Sequence, residues 1–264
     1  MNTLPDITII LPAYNEAATI VSTVTETIAY LRSRGYVYEI IVAADGDDGT
    51  RELVGDMTQH DPCIRAIGSP QRGGKGKGIR DAVAIASGTI IGFVDADNKV
   101  PIDEYDKVAA KLSQGYPVVI GSRGLAESQI DREQPWYRQI GSRGFYYFMQ
   151  TVVNIPGIRD TQCGFKFFTR QAAKTIFGLQ KIDGYMFDVE ILAIAQRLGY
   201  RIAQVPIRWR DDGDSRLNLF AGNLRNALDV FRIRASLGVV GRKSPYLNSQ
   251  AATATETLHG LQGD

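Results

Sequence analysis

The sequence predicts an α/β fold, a mainly parallel sheet flanked by helices. Three observations predict it. Short apolar runs alternate with helix-period segments, the pattern of βαβ units with right-handed crossovers. The run Thr89–Val94 is almost wholly apolar, as a strand buried on both faces should be. Polar and acidic turns follow the first, second and fourth runs, and open α/β sheets bind ligands at the carboxyl ends of their strands. With 264 residues, 44% of them hydrophobic, the chain can form one large domain of two abutting halves.

The elements follow in order. Ile7–Leu11 reads as the first strand, ending at Pro12-Ala13-Tyr14-Asn15-Glu16. A helix is expected over 17–34, with Ile20, Val24, Ile28 and Leu31 on one face and Gly35 as its stop. Glu39–Ala43 is a second strand, which runs into the acidic turn Asp45–Thr50 and a helix over 50–58. Cys63–Ile67 is a short third strand. The segment Gln71–Gly78 follows, then a helix over 79–86 and the strand before Asp95. In the second half a helix over 103–113 leads to the strand Pro117–Ile120 and to Gly121-Ser122-Arg123. An aromatic, basic segment over 136–149 precedes a turn into a strand over 161–168 and a helix over 171–176. A helix from Phe187 to Leu198 is stopped by Gly199. Arg201–Trp209 carries Pro206 and is therefore expected at an edge or bulge. An amphipathic helix over 223–237 follows, then a small, polar tail.

Composition narrows the function. A net charge of +1 gives no general case for a nucleic-acid partner. Cys63 and Cys163 have no metal-ligand spacing, and a reduced cytosolic protein is the default, with one disulfide as the alternative. Met1–Asp6 lacks the basic start and apolar core of a secretory leader. The apolar window Ala82–Val94 is too short to span a bilayer. The expected location is cytoplasmic, with at most peripheral attachment to the cytoplasmic face of a membrane through a helix bearing Arg225, Arg232 and Arg234.

The chemistry centres on Asp95-Ala96-Asp97 at a strand end. Carboxylates at i and i+2 point the same way on an extended backbone. Their hard oxygens suit Mg²⁺ or Mn²⁺, with a diphosphate completing the shell. A strand followed by a polar turn would look the same. The Gly/Lys segment is neither a dinucleotide fingerprint nor a P-loop. Its lysines suit a phosphate or a solvated loop equally.

Taken in order, Leu-Pro-Ala-Tyr-Asn-Glu (11–16), Asp45-Gly46, Gly74-Lys75-Gly76 with Arg80, Asp95-Ala96-Asp97 and Gly121-Ser122-Arg123 resemble the family-2 glycosyltransferases of the GT-A fold. Asp160-Thr-Gln-Cys-Gly-Phe-Lys-Phe-Phe, Gly184-Tyr-Met-Phe-Asp-Val-Glu and Val205-Pro-Ile-Arg-Trp, with Ser215-Arg216-Leu217, look like its polyprenyl-phosphate branch. Dolichyl-phosphate glucosyltransferases are nearest and mannosyltransferases next. The resemblance implies a GT-A domain over 1–240, with a nucleotide-sugar half at 5–100 and an acceptor half at 101–240. The tail at 241–264 is expected to be disordered. It implies that Pro12, Tyr14, Asn15 and Glu16 line the nucleoside pocket and that Asp45 contacts base or ribose. Lys75 stands at the family's lysine, Asp95 touches ribose or metal, and Asp97 holds the Mg²⁺ or Mn²⁺. Arg123 borders the acceptor site, Asp188 falls near the aspartate that serves hydroxyl acceptors as base, and Ser215 and Arg216 match a loop that closes over phosphates.

The implied reaction is inverting transfer of a hexose, glucose favoured, from UDP-glucose or GDP-mannose to a polyprenyl or dolichyl phosphate. A lipid phosphate is already ionised, so it needs cations rather than a base. Arg123, Arg138, Arg143 and Arg216 are the candidates, since a guanidinium fork pairs bidentately with phosphate. Asp188 is alternatively a first-turn carboxylate that complements a helix dipole. Other readings are a transferase using a soluble hydroxyl acceptor, with Asp188 as base, and a non-catalytic nucleotide-sugar-binding protein. The departures are Ala44, where the family usually has a further aspartate, and Lys99, where mannosyltransferase relatives carry a metal-binding glutamine. Many relatives also carry membrane helices after the catalytic domain, and none is read here.

Overall fold

A computed structural model describes residues 4–131, 149, 151–210 and 223–243. Each apolar run forms a strand, and between runs the amphipathic segments wind into helices. The order is β1 (Ile7–Tyr14), α1 (Ile20–Ser33), β2 (Tyr38–Asp45), α2 (Thr50–His60), β3 (Ile64–Ile67), α3 (Lys75–Ile85) and β4 (Ile90–Val94). A short 3-10 turn, Ile102–Glu104, leads into α4 (Tyr105–Ser113), β5 (Val118–Ser122) and β6 (Gln129–Ile130). Then come β7 (Phe165–Thr169), α5 (Arg170–Leu179), α6 (Phe187–Arg197), β8 (Ile202–Pro206), β9 (Arg208–Trp209) and α7 (Asn223–Lys243).

One seven-stranded sheet, ordered β3-β2-β1-β4-β7-β5-β8, runs through both halves of the chain. Its ladders are parallel except where β7 pairs antiparallel with β4 and β5. β8 takes the edge that Pro206 demands. β6 and β9 form a separate short parallel pair. Side chains alternate between two cores, one on each face of the sheet. Ile9, Leu11, Val42 and Phe167 pack with α1, α2 and α4 on one face. Ile10, Phe93 and Phe168 pack with α3, α5, α6 and α7 on the other.

Several boundaries differ from the sequence reading, and three have a clear physical setting. β1 continues through Pro12 to Tyr14, because the β1–β4 ladder stops at Ile10↔Phe93 and Pro12 needs to satisfy only β2. α3 begins at Lys75 rather than near Ile79, since tertiary contacts hold its glycine-containing first turn in place. α7 runs on through Lys243, into the segment expected to be tail.

Gly92 marks the closest approach within the sheet. A Cβ there would stand 2.1 Å from Cδ1 of the fully buried Phe167, across the β4–β7 pairing. Gly92→Ala should therefore lower stability by about 1–3 kcal/mol. Chemical denaturation checks this, and an unchanged midpoint would contradict it.

Candidate active site

The site lies at the carboxyl ends of β1, β2 and β4. Its first component is the start of α3. Gly74 has φ +112°, and a Cβ there would lie 2.4 Å from the Asp183 carbonyl oxygen. A Cβ on Gly76 would lie 2.5 Å from the Ile182 carbonyl oxygen and 2.6 Å from Phe187 Cβ. Only glycines let this turn pack so closely against the segment before α6. Gln180 Nε2 donates to the Gly76 carbonyl at 2.9 Å, and the Lys77 amide donates to that of Asp183 at 3.2 Å. Lys75 is thereby aimed across the site, with Nζ 2.6 Å from Asp95 Oδ1. Burial alone would lower its pKa, but Asp95, Asp188 and Asp97 outweigh burial and hold it above the ordinary lysine value.

The second component is a set of aspartates. Asp95 follows β4 directly, and its amide donates to the Gly164 carbonyl at 3.0 Å. Asp97 accepts from the Lys99 amide at 3.3 Å, and Lys99 Nζ lies 3.5 Å from Asp97 Oδ2. Burial and the neighbouring Asp95 push the Asp97 carboxyl above the usual range, against Lys99 and Lys75. Asp188, in the first turn of α6, is buried. It accepts from Lys166 Nζ at 2.5 Å. Burial raises its pKa, opposed by Lys166 and Lys75. Lys166 is fully buried on β7, also donates to the Cys163 carbonyl, and stands 5.3 Å from the Phe93 ring centroid.

The third component is an aromatic edge beside β1 and β2. Tyr14 is 41% exposed at the end of β1, and the Arg72 guanidinium carbon lies 4.3 Å from its ring centroid. Arg72 also donates to the Tyr185 hydroxyl at 3.2 Å. Asp45 accepts from the Gly73 amide at 2.7 Å and the Ser69 amide at 3.2 Å, so it shapes the loop that carries Arg72. Asn15 has φ +54°, and its Oδ1 accepts from the Asp47 amide at 3.2 Å. The Glu16 amide donates to Thr50 Oγ1 at 3.0 Å, and its carbonyl accepts from the Ile20 amide at 2.9 Å. Pro12 is half-buried within β1, paired with Ala43. Ala44 is fully buried in the core shared with α1.

Arg123 follows β5, and its fork grips Asp160: Nε donates to Oδ2 at 2.7 Å and Nη2 to Oδ1 at 3.0 Å. Its guanidinium carbon stands 5.4 Å from the Trp209 ring centroid. Burial alone would raise the Asp160 carboxyl, but Arg123 outweighs it and holds the pKa at about 2. Arg138, Arg143, Ser215 and Arg216 lie outside the described residues, as does the side chain of Arg225.

The structure thus brings Lys75, Asp95, Asp97 and Asp188 together, with Tyr14 and Asp45 on an adjoining edge. The sequence reading missed Lys166, Asp160 and Arg72. Lys166 had a signal: a lysine between phenylalanines in Phe165–Phe168 has to be buried, and a buried ammonium needs a carboxylate. Asp95 and Asp97 suit a divalent cation chemically. Their carboxylates are close enough to raise the pKa of Asp97, a repulsion that a cation relieves. Among the described residues no group of three or more His, Cys, Asp or Glu forms a complete metal cage. Further oxygens would come from a bound diphosphate or water.

Two stability measurements test this electrostatic frame. Lys166→Met strands the Asp188 charge and should cost about 3–5 kcal/mol, whereas Lys166→Met with Asp188→Leu should recover most of that loss. Asp160 has a folded pKa of about 2, below the unfolded value of about 3.9. Its stabilisation is complete above pH ~4 and is lost as pH falls through about 2, on the order of 2–3 kcal/mol. Urea midpoints of Asp160→Asn should therefore fall less steeply between pH 4 and 2 than those of the native chain.

Residues 8–177 match the model of the family described as glycosyl transferase family 2. A dolichyl-phosphate beta-glucosyltransferase of Trichomonas vaginalis is 35% identical over 252 residues, which cover 90% of this chain and 74% of that protein. A dolichyl-phosphate beta-glucosyltransferase of Dictyostelium discoideum is 34% identical over 241 residues, 86% of this chain and 73% of that protein. Among solved structures, glucosyl-3-phosphoglycerate synthase of Mycobacterium tuberculosis with Mn²⁺, UDP-glucose and phosphoglyceric acid has a TM-score of 0.63 at 22% identity, covering 87% of this chain and 79% of that one. That likeness shows the shared GT-A fold. With a sheet of this order, a carboxylate pair at the end of β4 and these relatives, the chain belongs to glycosyltransferase family 2.

Proposed function

We propose that this glycosyltransferase moves glucose from a nucleotide diphosphate sugar, UDP-glucose before GDP-mannose, to a polyprenyl or dolichyl phosphate, with inversion. The observation that carries the reading is the state of Asp188. Its carboxylate is buried and committed to Lys166, which suits an acceptor oxygen that arrives ionised and needs no base. The two dolichyl-phosphate beta-glucosyltransferases named above support the same acceptor class.

The roles follow from placement. Tyr14 and Arg72 offer a flat face to a nucleobase, and Asp45 fixes the loop beside it. Asn15, Glu16 and Pro12 shape that edge. Asp95 and Asp97 would hold Mg²⁺ or Mn²⁺, which when bound supplies Lewis-acid stabilisation of the departing diphosphate. Lys75 adds a cation beside it. Arg123, steadied by Asp160, borders the acceptor side, and we assign Arg138, Arg143, Ser215 and Arg216 to the acceptor phosphate. No described helix is long and apolar enough to cross a membrane. On α7, Leu228 and Phe231 are exposed beside Arg232 and Arg234, which supports peripheral contact with the cytoplasmic face of an anionic bilayer.

Radiolabelled glucose transfer to a short polyprenyl phosphate, run beside the matching polyprenol, tests the reading. Transfer to the phosphate and not the alcohol is expected. It should stop in excess EDTA, and Asp97→Asn should lower kcat by ~10²-fold or more, about 3 kcal/mol. A faster reaction with the free alcohol would replace this reading by a hydroxyl-acceptor transferase that uses Asp188 as base.

A further inference from the structure

The first turn of α3 carries Lys75 to Asp95, yet it is poorly equipped to hold itself. It reads Lys75-Gly76-Lys77-Gly78, and glycine is the weakest helix former after proline. Gly74 at its N-cap has no side chain to satisfy the free amides. The turn is held instead by the segment 180–183. The Asp183 carbonyl accepts from the Lys77 amide at 3.2 Å, and Gln180 Nε2 bridges the carbonyls of Gly76 and Ile182 at 2.9 and 2.8 Å. Further along α3, Arg80 Nη2 lies 2.7 Å from Asp183 Oδ1. That segment is in turn fastened by a buried side chain. Glu190, in the first turn of α6, is 1% exposed. Its Oε2 accepts from the Ile182 amide at 2.8 Å and from the Lys181 amide at 3.0 Å, and its Oε1 stands 3.1 Å from the Lys181 amide. A continuous path therefore runs from this carboxylate to two amides, from their peptides to the start of α3, and on to Lys75, whose Nζ meets Asp95 at 2.6 Å.

We infer that Glu190 is a positioning residue for donor binding: through the segment 180–183 it fixes the first turn of α3, and so holds Lys75 in place for a diphosphate beside Asp95. The inference rests on the nucleotide-sugar reading above and adds the residue that sets its lysine. The need for a carboxylate follows from the donors. Two backbone N–H groups converge on this spot, and a carboxylate offers acceptor oxygens to both. A glutamine has one acceptor oxygen and an amide group that itself donates, so it would turn one N–H toward another. The segment would then move away from α6 and take the start of α3 with it. A lysine on a phosphate is sensitive to such movement, because a charge-assisted hydrogen bond is strong only at short range. The first turn of α6 thus serves both halves of the chain, since Asp188 beside Glu190 pairs with Lys166 on β7.

The test is a double-mutant cycle on UDP affinity, measured by calorimetry on the full chain in excess Mn²⁺. Glu190→Gln and Lys75→Met should each weaken UDP binding about 10-fold, the size expected for one hydrogen bond to a charged group. In the Lys75→Met background, Glu190→Gln should change UDP affinity by no more than about 2-fold, the scatter of independent substitutions. Gln180→Met removes the bridge and keeps the carboxylate. It should repeat both results, and it carries the test if Glu190→Gln fails to fold. A merely structural role predicts equal losses with and without Lys75, and that result in folded variants overturns the inference. Native UDP affinity in Glu190→Gln or in Lys75→Met overturns it too, and in each of these cases the nucleotide-sugar reading stands. If the native chain binds no UDP with Mn²⁺, that reading falls and the inference with it.

Discussion

Three aspartates, Asp95, Asp97 and Asp188, gather beyond the end of β4, and the architecture around them brings a lysine to each. Burial disfavours the charge of Asp97 and Asp188 and raises both pKa values, and the nearby Asp95 adds to each rise. Each is answered by its own lysine: Lys75 for Asp95, Lys99 for Asp97 and Lys166 for Asp188. The lysines come from three directions: the start of α3, the loop after β4 and the middle of β7. Gly74 and Gly76 make sense in this light, because Lys75 reaches Asp95 only if the turn before it lies against the segment ahead of α6.

The same requirement gives the antiparallel β7 a function. A strand running against its neighbours begins where they end. The residues that lead into β7, from Asp160 to Gly164, therefore arrive at the carboxyl end of β4, beside Asp95. A parallel strand in this place would deliver them to the opposite edge. That opposite edge is closed by a purely structural polar group: Glu39 accepts from Thr8 Oγ1 at 2.6 Å and from the Ser87 amide at 2.8 Å. One end of the sheet thus uses buried charge to lock loops, and the other uses it to hold carboxylates ready for a ligand.

What was legible in the sequence was what local pattern controls. The apolar runs, their helical partners and the aspartates at the end of the fourth run are written in short windows, and they place Asp45, Asp95 and Asp97 at strand ends. Two kinds of feature were not legible. Element starts held by distant contacts were misplaced, as with α3, whose first turn is secured by Gln180 and Asp183 more than a hundred residues away. Charge pairings across the sheet were hidden too: Lys166 finds Asp188 on α6, and Arg123 finds Asp160. Residue type announced that Lys166 needed a partner, but only the fold chose which one.

Pairing also changes what Arg123 can do. A lone guanidinium attracts any anion, but one whose fork is held by Asp160 offers only its remaining N–H groups and no net charge. Around the reacting position, among the described residues, Lys75, Lys99, Lys166 and Arg123 each face a carboxylate, on Asp95, Asp97, Asp188 and Asp160. Paired charges of this kind suit a nucleotide sugar that arrives with its divalent cation, since each cancels most of the other's charge. They do not by themselves draw in a second anion. On the function proposed here, the attraction for an acceptor phosphate has to come from cations beyond these eight residues. The sequence holds such cations in its arginine-bearing segments, with Arg132, Arg138 and Arg143 before β7 and Arg216 after β9. Donor chemistry and acceptor capture would then fall to different residues, so a substitution in one set need not disturb the charge state of the other.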